Sequence, residues 1–216
     1  MKRWLLGLLV LLCALVLAVP IAEPALASAS DVKHFKGEGA GYSLNVYDED
    51  TNSYTFIEVF VTGELNQQPP GRPQAVRNVM IVVDRYREEP EYQEISVAFY
   101  NGDIPASSFV VGPRLSWASL SATDLPGIEI DLINNEGHEV NFDVTMEWTA
   151  TGPMIRDIET YHYRSPDIAY SSHFVGRSRD ASAEGTLSYG STSLELAASE
   201  GPFIYSASAG SVEVSR

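Results

Sequence analysis

The densest collection of groups able to do chemistry lies between Ile155 and Arg179. This stretch holds Arg156, Arg164, Arg177 and Arg179, the imidazoles His162 and His173, and the phenols Tyr161, Tyr163 and Tyr170. If it is two strands joined by a turn at Arg164-Ser165-Pro166-Asp167-Ile168, then Asp157, Glu159, Tyr161 and Tyr163 share one face of the first strand. Ala169, Ser171, His173, Val175 and Arg177 are then expected on that same face of the second. Glu159 would lie beside His173, where a carboxylate can orient an imidazole and raise its proton affinity, as general bases are often held. Tyrosine rings stack on a ligand while their hydroxyls hydrogen-bond to it, which suits a sugar or another polar ligand. Glu159, Tyr161, Tyr163, His173 and Arg177 are therefore the expected ligand-binding residues. The competing reading is charge balance, each arginine answering a nearby carboxylate on a solvated sheet face.

A second place for chemistry is Asp48-Glu49-Asp50-Thr51-Asn52. Asp48, Asp50 and Asn52 stand at the first, third and fifth positions of a calcium loop. Ser53 occupies the glycine position and Val59 that of the bidentate glutamate, so a solvated turn is expected, with weak calcium binding left open. No other cofactor is expected. His34, His138, His162 and His173 have no zinc spacing, and no thiolate is available to help them. There is no G-x-S-x-G elbow for a nucleophilic serine. Carboxylates are too many for one pair to stand out as a glycosidase couple. Gly37-Glu38-Gly39-Ala40-Gly41 reads as a strand or bulge where another backbone comes close.

The elements that position these groups follow a period of two. Val140, Phe142, Val144, Met146 and Trp148 alternate with polar residues, and Ile128-Glu129-Ile130-Asp131-Leu132 repeats the pattern across Asn134-Asn135-Glu136-Gly137. This predicts a hairpin whose Phe142, Val144, Trp148, Ile130 and Leu132 share one core. Tyr42–Tyr47 with Tyr54–Thr62, and Val79–Tyr86 with Tyr92–Tyr100, predict two more hairpins. Leu115 and Trp117 fall out of phase with Leu120 and Ala122, which predicts a bulge near Ala118-Ser119. Ile155–Tyr163, Ile168–Val175, Ser182–Tyr189, Leu194–Leu196, Phe203–Ala207 and Val212–Val214 complete the series. Ser193–Ala198 could instead form one helical turn.

The expected fold class is all-β: an antiparallel β-sandwich of about 11–12 short strands, with a closed antiparallel β-barrel as the alternative. The proline-rich segment Asn66–Gln74 is expected to carry the chain from one sheet to the other.

The N-terminus bears on where such a domain works. Lys2 and Arg3, the apolar run Trp4–Val19 and the A-x-A motif Ala25-Leu26-Ala27 predict a signal peptide over 1–27, leaving one domain over 28–216. The apolar run is shorter than the ~20 residues that span a bilayer. The single cysteine, Cys13, would leave with it, so the exported chain would fold without disulfides, a pattern that leans towards a bacterial source. Of the 14 basic and 29 acidic residues, Lys2, Arg3 and Glu23 would be removed, leaving 12 and 28. So negative a surface repels phosphate backbones and anionic lipids, so neither nucleic acid nor membrane insertion is expected after cleavage. The expected function is a secreted, acidic, non-catalytic module that binds a small molecule, glycan or protein at the cell exterior. The alternatives are an extracellular hydrolase or isomerase of a small polar substrate using His173 and Glu159, and a structural surface protein.

Overall fold

The computed structural model describes residues 31–67, 74–87, 91–164 and 168–215. The expected signal peptide and cleavage site lie outside them, as do most of the proline-rich segment and the Ser165-Pro166-Asp167 turn. Within them the chain is all-β and antiparallel. The strands are β1 (Asp31–Asp48), β2 (Ser53–Gln67), β3 (Gln74–Arg87), β4 (Gln93–Asp103), β5 (Phe109–Val111), β6 (Trp117–Asp131), β7 (Glu136–Ala150), β8 (Ile155–Arg164), β9 (Ile168–Tyr189), β10 (Thr192–Ala198) and β11 (Phe203–Ser215). Ser193–Ala198 is thus strand rather than helical turn. No helix among the described residues is long and apolar enough to cross a membrane.

All of these strands belong to one 11-stranded sheet. β1 pairs with β2, β2 with β3, β3 with β4, β4 with β6, β6 with β7 and β7 with β9. β9 pairs with β11, and β11 returns to β1, so the pairings close into a ring. Several strands are longer than the sequence pattern implies. β9 runs for 22 residues, joining the expected strands Ile168–Val175 and Ser182–Tyr189 into one. Its first half lies between β8 and β11, its second between β7 and β10. The proline-rich connection also differs from expectation. Asn66 pairs with Gln74, so it closes a hairpin between neighbouring strands instead of crossing between sheets.

Alternation explains the core. Ile57, Val59 and Val61 of β2, Val79, Ile81 and Val83 of β3, and Val140 to Trp148 at every second position of β7 all turn to the inner face and form one cluster. Phe142 and Trp148 are 0% exposed, and the Phe142 ring stacks on Tyr189 at 5.3 Å. The connection between β4 and β6 adds Ile104, Phe109 and Leu115 to that cluster.

Ile130 and Leu132 do not join the core as expected. The β-bulge falls between Ala122 and Leu125, not at Ala118-Ser119. Asp124 there has a φ of 56°, and its N–H donates to the Asp143 carboxylate at 2.8 Å. The extra residue reverses the phase, so Ile128 and Ile130 turn to the outer face, while Leu132 is exposed in the turn. Asp131 closes that turn by accepting from the backbone N–H groups of Ile133 and Asn134. These bonds and the Asn134 amide hold its carboxyl below the usual carboxylate range.

Candidate functional site

Where β7 ends, β8 takes its place beside the first half of β9 and forms a free edge, here called the blade, of a sheet that continues on the far side of β9 through β11 and β1. The backbone register decides what each face carries. Arg164 pairs with Ala169, Tyr163 with Tyr170, Thr160 with His173, Glu159 with Phe174 and Arg156 with Arg177. Directly opposed residues of an antiparallel pair share a face. An even number of residues separates Arg164 from Ala169, so odd positions of β8 meet even positions of β9.

This corrects the expected site. Glu159, Tyr161 and Tyr163 lie on the outer face with Phe174 and Tyr170, whereas His173 and Arg177 lie on the inner face, which continues the core side of the ring. Glu159 and His173 are not a pair, and the base they would have formed is not assembled. On the inner face the His173 Nδ1 is hydrogen-bonded to Thr160 Oγ1 at 3.1 Å, and the His162 Nδ1 to Ser171 Oγ at 3.0 Å. The carboxylate–imidazole contact among the described residues is elsewhere, between Glu129 and His138 at 3.2 Å in the β6–β7 hairpin.

The same register segregates charge. On the inner face β8 presents Arg156, Ile158, Thr160, His162 and Arg164. β9 presents Ala169, Ser171, His173, Val175, Arg177 and Arg179. The described acids of β8, Asp157 and Glu159, are on the outer face. Arg156, Arg164 and Arg177 make no ion pair among the described residues, while Arg179 donates to the Gly152 carbonyl at 3.0 Å. Among the described residues, ion pairing therefore does not account for Arg156, Arg164 and Arg177. The row through Arg156 and Arg177 continues across β11 and β1 to Ser206 and Glu38, and across β2 and β3 to Gly63 and Arg77. Gly63 lets the Arg77 side chain lie over the sheet, since a Cβ there would sit 2.3 Å from its Nη1. Arg77 thereby reaches Glu38 at 3.3 Å and engages the carboxylate of that row.

The blade is also unusually open. Every residue of β8 is exposed, including Ile155, Ile158, Tyr161 and Tyr163, and among the described strands β8 has one neighbour, β9. Isolated apolar residues on a surface are ordinary, but four on one edge strand are a liability that proteins usually suppress.

The acidic turn gives its oxygens to donors of its own hairpin, one backbone N–H and two side-chain hydroxyls. Asp48 accepts from the Asp50 N–H at 3.0 Å and from Thr51 Oγ1 at 2.8 Å, and the Thr51 bond is the main cause of its lowered carboxyl pKa. Asn52 Oδ1 accepts from the Tyr47 hydroxyl at 2.9 Å. Among the described residues no three histidine, cysteine, aspartate or glutamate side chains gather where they could hold a metal ion. The glycines of β1 lie in strand and are covered by rings, and at Gly39 a backbone also comes close as expected, since a Cβ there would sit 2.5 Å from the Val61 carbonyl oxygen. A Cβ on Gly39 would meet Tyr205, and one on Gly41 would meet Phe203.

One feature escaped sequence reasoning. Tyr47, Tyr54, Tyr86 and Tyr92 form a row on the outer face across β1, β2, β3 and the approach to β4, with successive ring centroids 4.9, 5.3 and 5.6 Å apart. The Tyr54 and Tyr86 rings stack at 14°, while Tyr47 is tilted by 42° against Tyr54 and Tyr92 by 37° against Tyr86. Asn45 donates to the Tyr86 hydroxyl at 2.7 Å. The available signal was a tyrosine on each side of two expected hairpin turns, Tyr47 and Tyr54, and Tyr86 and Tyr92.

On the same outer face, burial first and Glu94 second push the Asp84 carboxyl up, and burial raises Glu58. A raised folded-state pKa favours the neutral acid. Its stabilising contribution is complete below the unfolded pKa, near about 4, and is lost as pH rises through the folded value. Asp84→Asn and Glu58→Gln are therefore expected to raise Tm at neutral pH, with the gain shrinking as pH falls through the carboxylate range. Calorimetry at several pH values tests this, and a pH-independent gain would refute it.

No protein-family model matches the chain, and no curated protein matches it.

Proposed function

We propose that this is an exported, non-catalytic binding module whose binding element is the β8–β9 blade, and that it takes an extended ligand rather than a small molecule enclosed in a pocket. The observation that carries this reading is β8 itself, a ten-residue strand exposed along its whole length with arginine, tyrosine and isoleucine in water. Arginine and tyrosine supply much contact energy per residue, and a two-faced strand can present them along a polymer. The outer face of β7 supports work in water, because Glu139, Asn141, Asp143, Thr145, Glu147 and Thr149 are all exposed. Export rests on the signal-like segment 1–27.

The test is retention of the purified exported protein on immobilised neutral and acidic polysaccharides and on gelatin. At least one support should retain it. Tyr161→Ala, Tyr163→Ala, Arg156→Gln or Arg177→Gln should weaken retention while leaving Tm unchanged, since all four side chains are exposed. The proposal fails if no support retains the protein, or if retention is indifferent to all four substitutions. Release of soluble fragments from a retained polymer would make the protein an enzyme instead.

A further inference from the structure

The geometry points to a linear acidic polysaccharide, one carrying carboxylates on its sugar rings, as the ligand of the inner face of the blade. Arg156 and Arg177 would clamp one carboxylate and Arg164 would meet another further along the chain. This rests on the binding-module reading above and adds the face used and the class of ligand.

Arg156 and Arg177 are directly opposed across the β8–β9 pair and both are exposed. Like charges so placed repel. Asp157 and Glu159, the described acids of β8, lie on its other face, and the nearby Glu38 is engaged by Arg77. A carboxylate placed between the two guanidinium groups would relieve the repulsion through charge-assisted hydrogen bonds, for which arginine's planar fork is suited. The eight steps of strand from Arg156 to Arg164 span about 26 Å at ~3.3 Å per residue, so one small anion does not bridge them.

What lies between the charged ends selects among polyanions. Ile158 and Val175 form an apolar pair, followed by Thr160 with His173 and then His162 with Ser171. This strip of cation, apolar patch, hydroxyl and imidazole groups, and cation again corresponds to acidic groups separated by rings with apolar faces and hydroxyl rims. Nucleic acid is a poorer match, because its charge density is far higher than the few separated cations of this strip would meet. An acidic polypeptide lacks the hydroxyls.

Calorimetric titration of the purified exported protein with polygalacturonate, polyglutamate and dextran tests the assignment. Polygalacturonate should bind, polyglutamate more weakly, and dextran not measurably. Affinity for polygalacturonate should fall steeply between about 50 and about 300 mM NaCl as exposed charges are screened. Arg156→Gln and Arg177→Gln should each lower it about tenfold at unchanged Tm. Glu195→Gln, on the exposed side of β10, should leave it unaltered. Polyglutamate binding as tightly as polygalacturonate would overturn the polysaccharide. Binding that ignores both arginine substitutions would overturn the face. Dextran binding that Tyr161→Ala abolishes would overturn this inference while upholding the binding module. No binding to any of the three probes would overturn the inference alone, whereas failure of the retention panel would remove both.

Discussion

Trp148→Ala is expected to destabilise the protein by about 3–5 kcal/mol, the range found when a large buried aromatic is truncated. Trp148 is 0% exposed near the end of β7. Its Nε1 donates to the Gly41 carbonyl of β1 at 2.9 Å, although β7 and β1 are not neighbours in the sheet. The side chain thus fills the space inside the ring and ties two walls that no backbone ladder joins. Removing it leaves a cavity lined by groups held in place by their own strands, which limits collapse. Trp148→Phe should cost less, because it keeps most of the volume and forfeits the hydrogen bond. Equilibrium unfolding in urea gives both values. A loss below about 1 kcal/mol for the alanine variant would mean that the interior is not packed around this ring.

Gly185→Ala should be the most damaging change relative to the atoms added. Gly185 lies in β9 opposite Met146 of β7 and Leu196 of β10. A Cβ there would be 2.0 Å from the Thr145 carbonyl oxygen and 2.8 Å from the Met146 Cα. Both are backbone atoms of a paired strand, so no side-chain rotation relieves the contact, and β7 must shift along with the Phe142 and Trp148 side chains it carries. Overpacking a core costs about 1–3 kcal/mol, and a clash with backbone belongs at or above the top of that range. Gly137→Ala is the control. A Cβ there meets nothing closer than 3.8 Å, so its effect should stay within about 0.5 kcal/mol. Similar unfolding midpoints for the two variants would show that β9 does not approach β7 so closely.

The all-β antiparallel class was legible in the sequence because alternation is a local property. Val140, Phe142, Val144, Met146 and Trp148 turn to one face of any extended strand, whatever that strand pairs with, and all five are buried. The β6–β7 hairpin was legible for the same reason, with turn residues between two alternating runs. What followed from how strands meet was not legible. The Asp124 bulge adds a single residue, which reverses the phase of β6 and moves Ile130 and Leu132 out of the core. The slip inferred between Trp117 and Leu120 is absent, because Ala118, Leu120 and Ala122 are buried in a single phase while Trp117 is exposed; no alternation in the sequence marked the bulge at Asp124.

The site followed the same logic. The abundance of arginine, histidine and tyrosine between Ile155 and Arg179 could be read directly. Which of them share a face depends on whether the β8–β9 connection holds an odd or an even number of residues, and one residue of register exchanges the faces completely. The tertiary structure decided that Glu159, Tyr161 and Tyr163 part from His173 and Arg177. It also decided which of those faces is inner, because that is set by the ring: β9 passes from the blade into the core wall, and Ala181, Ala183 and Leu187 fix its orientation by their burial. The tyrosine row shows the same limit. Its members stand as much as 45 positions apart in the chain, and only the registers of β1 with β2 and β2 with β3 bring Tyr47, Tyr54 and Tyr86 into line.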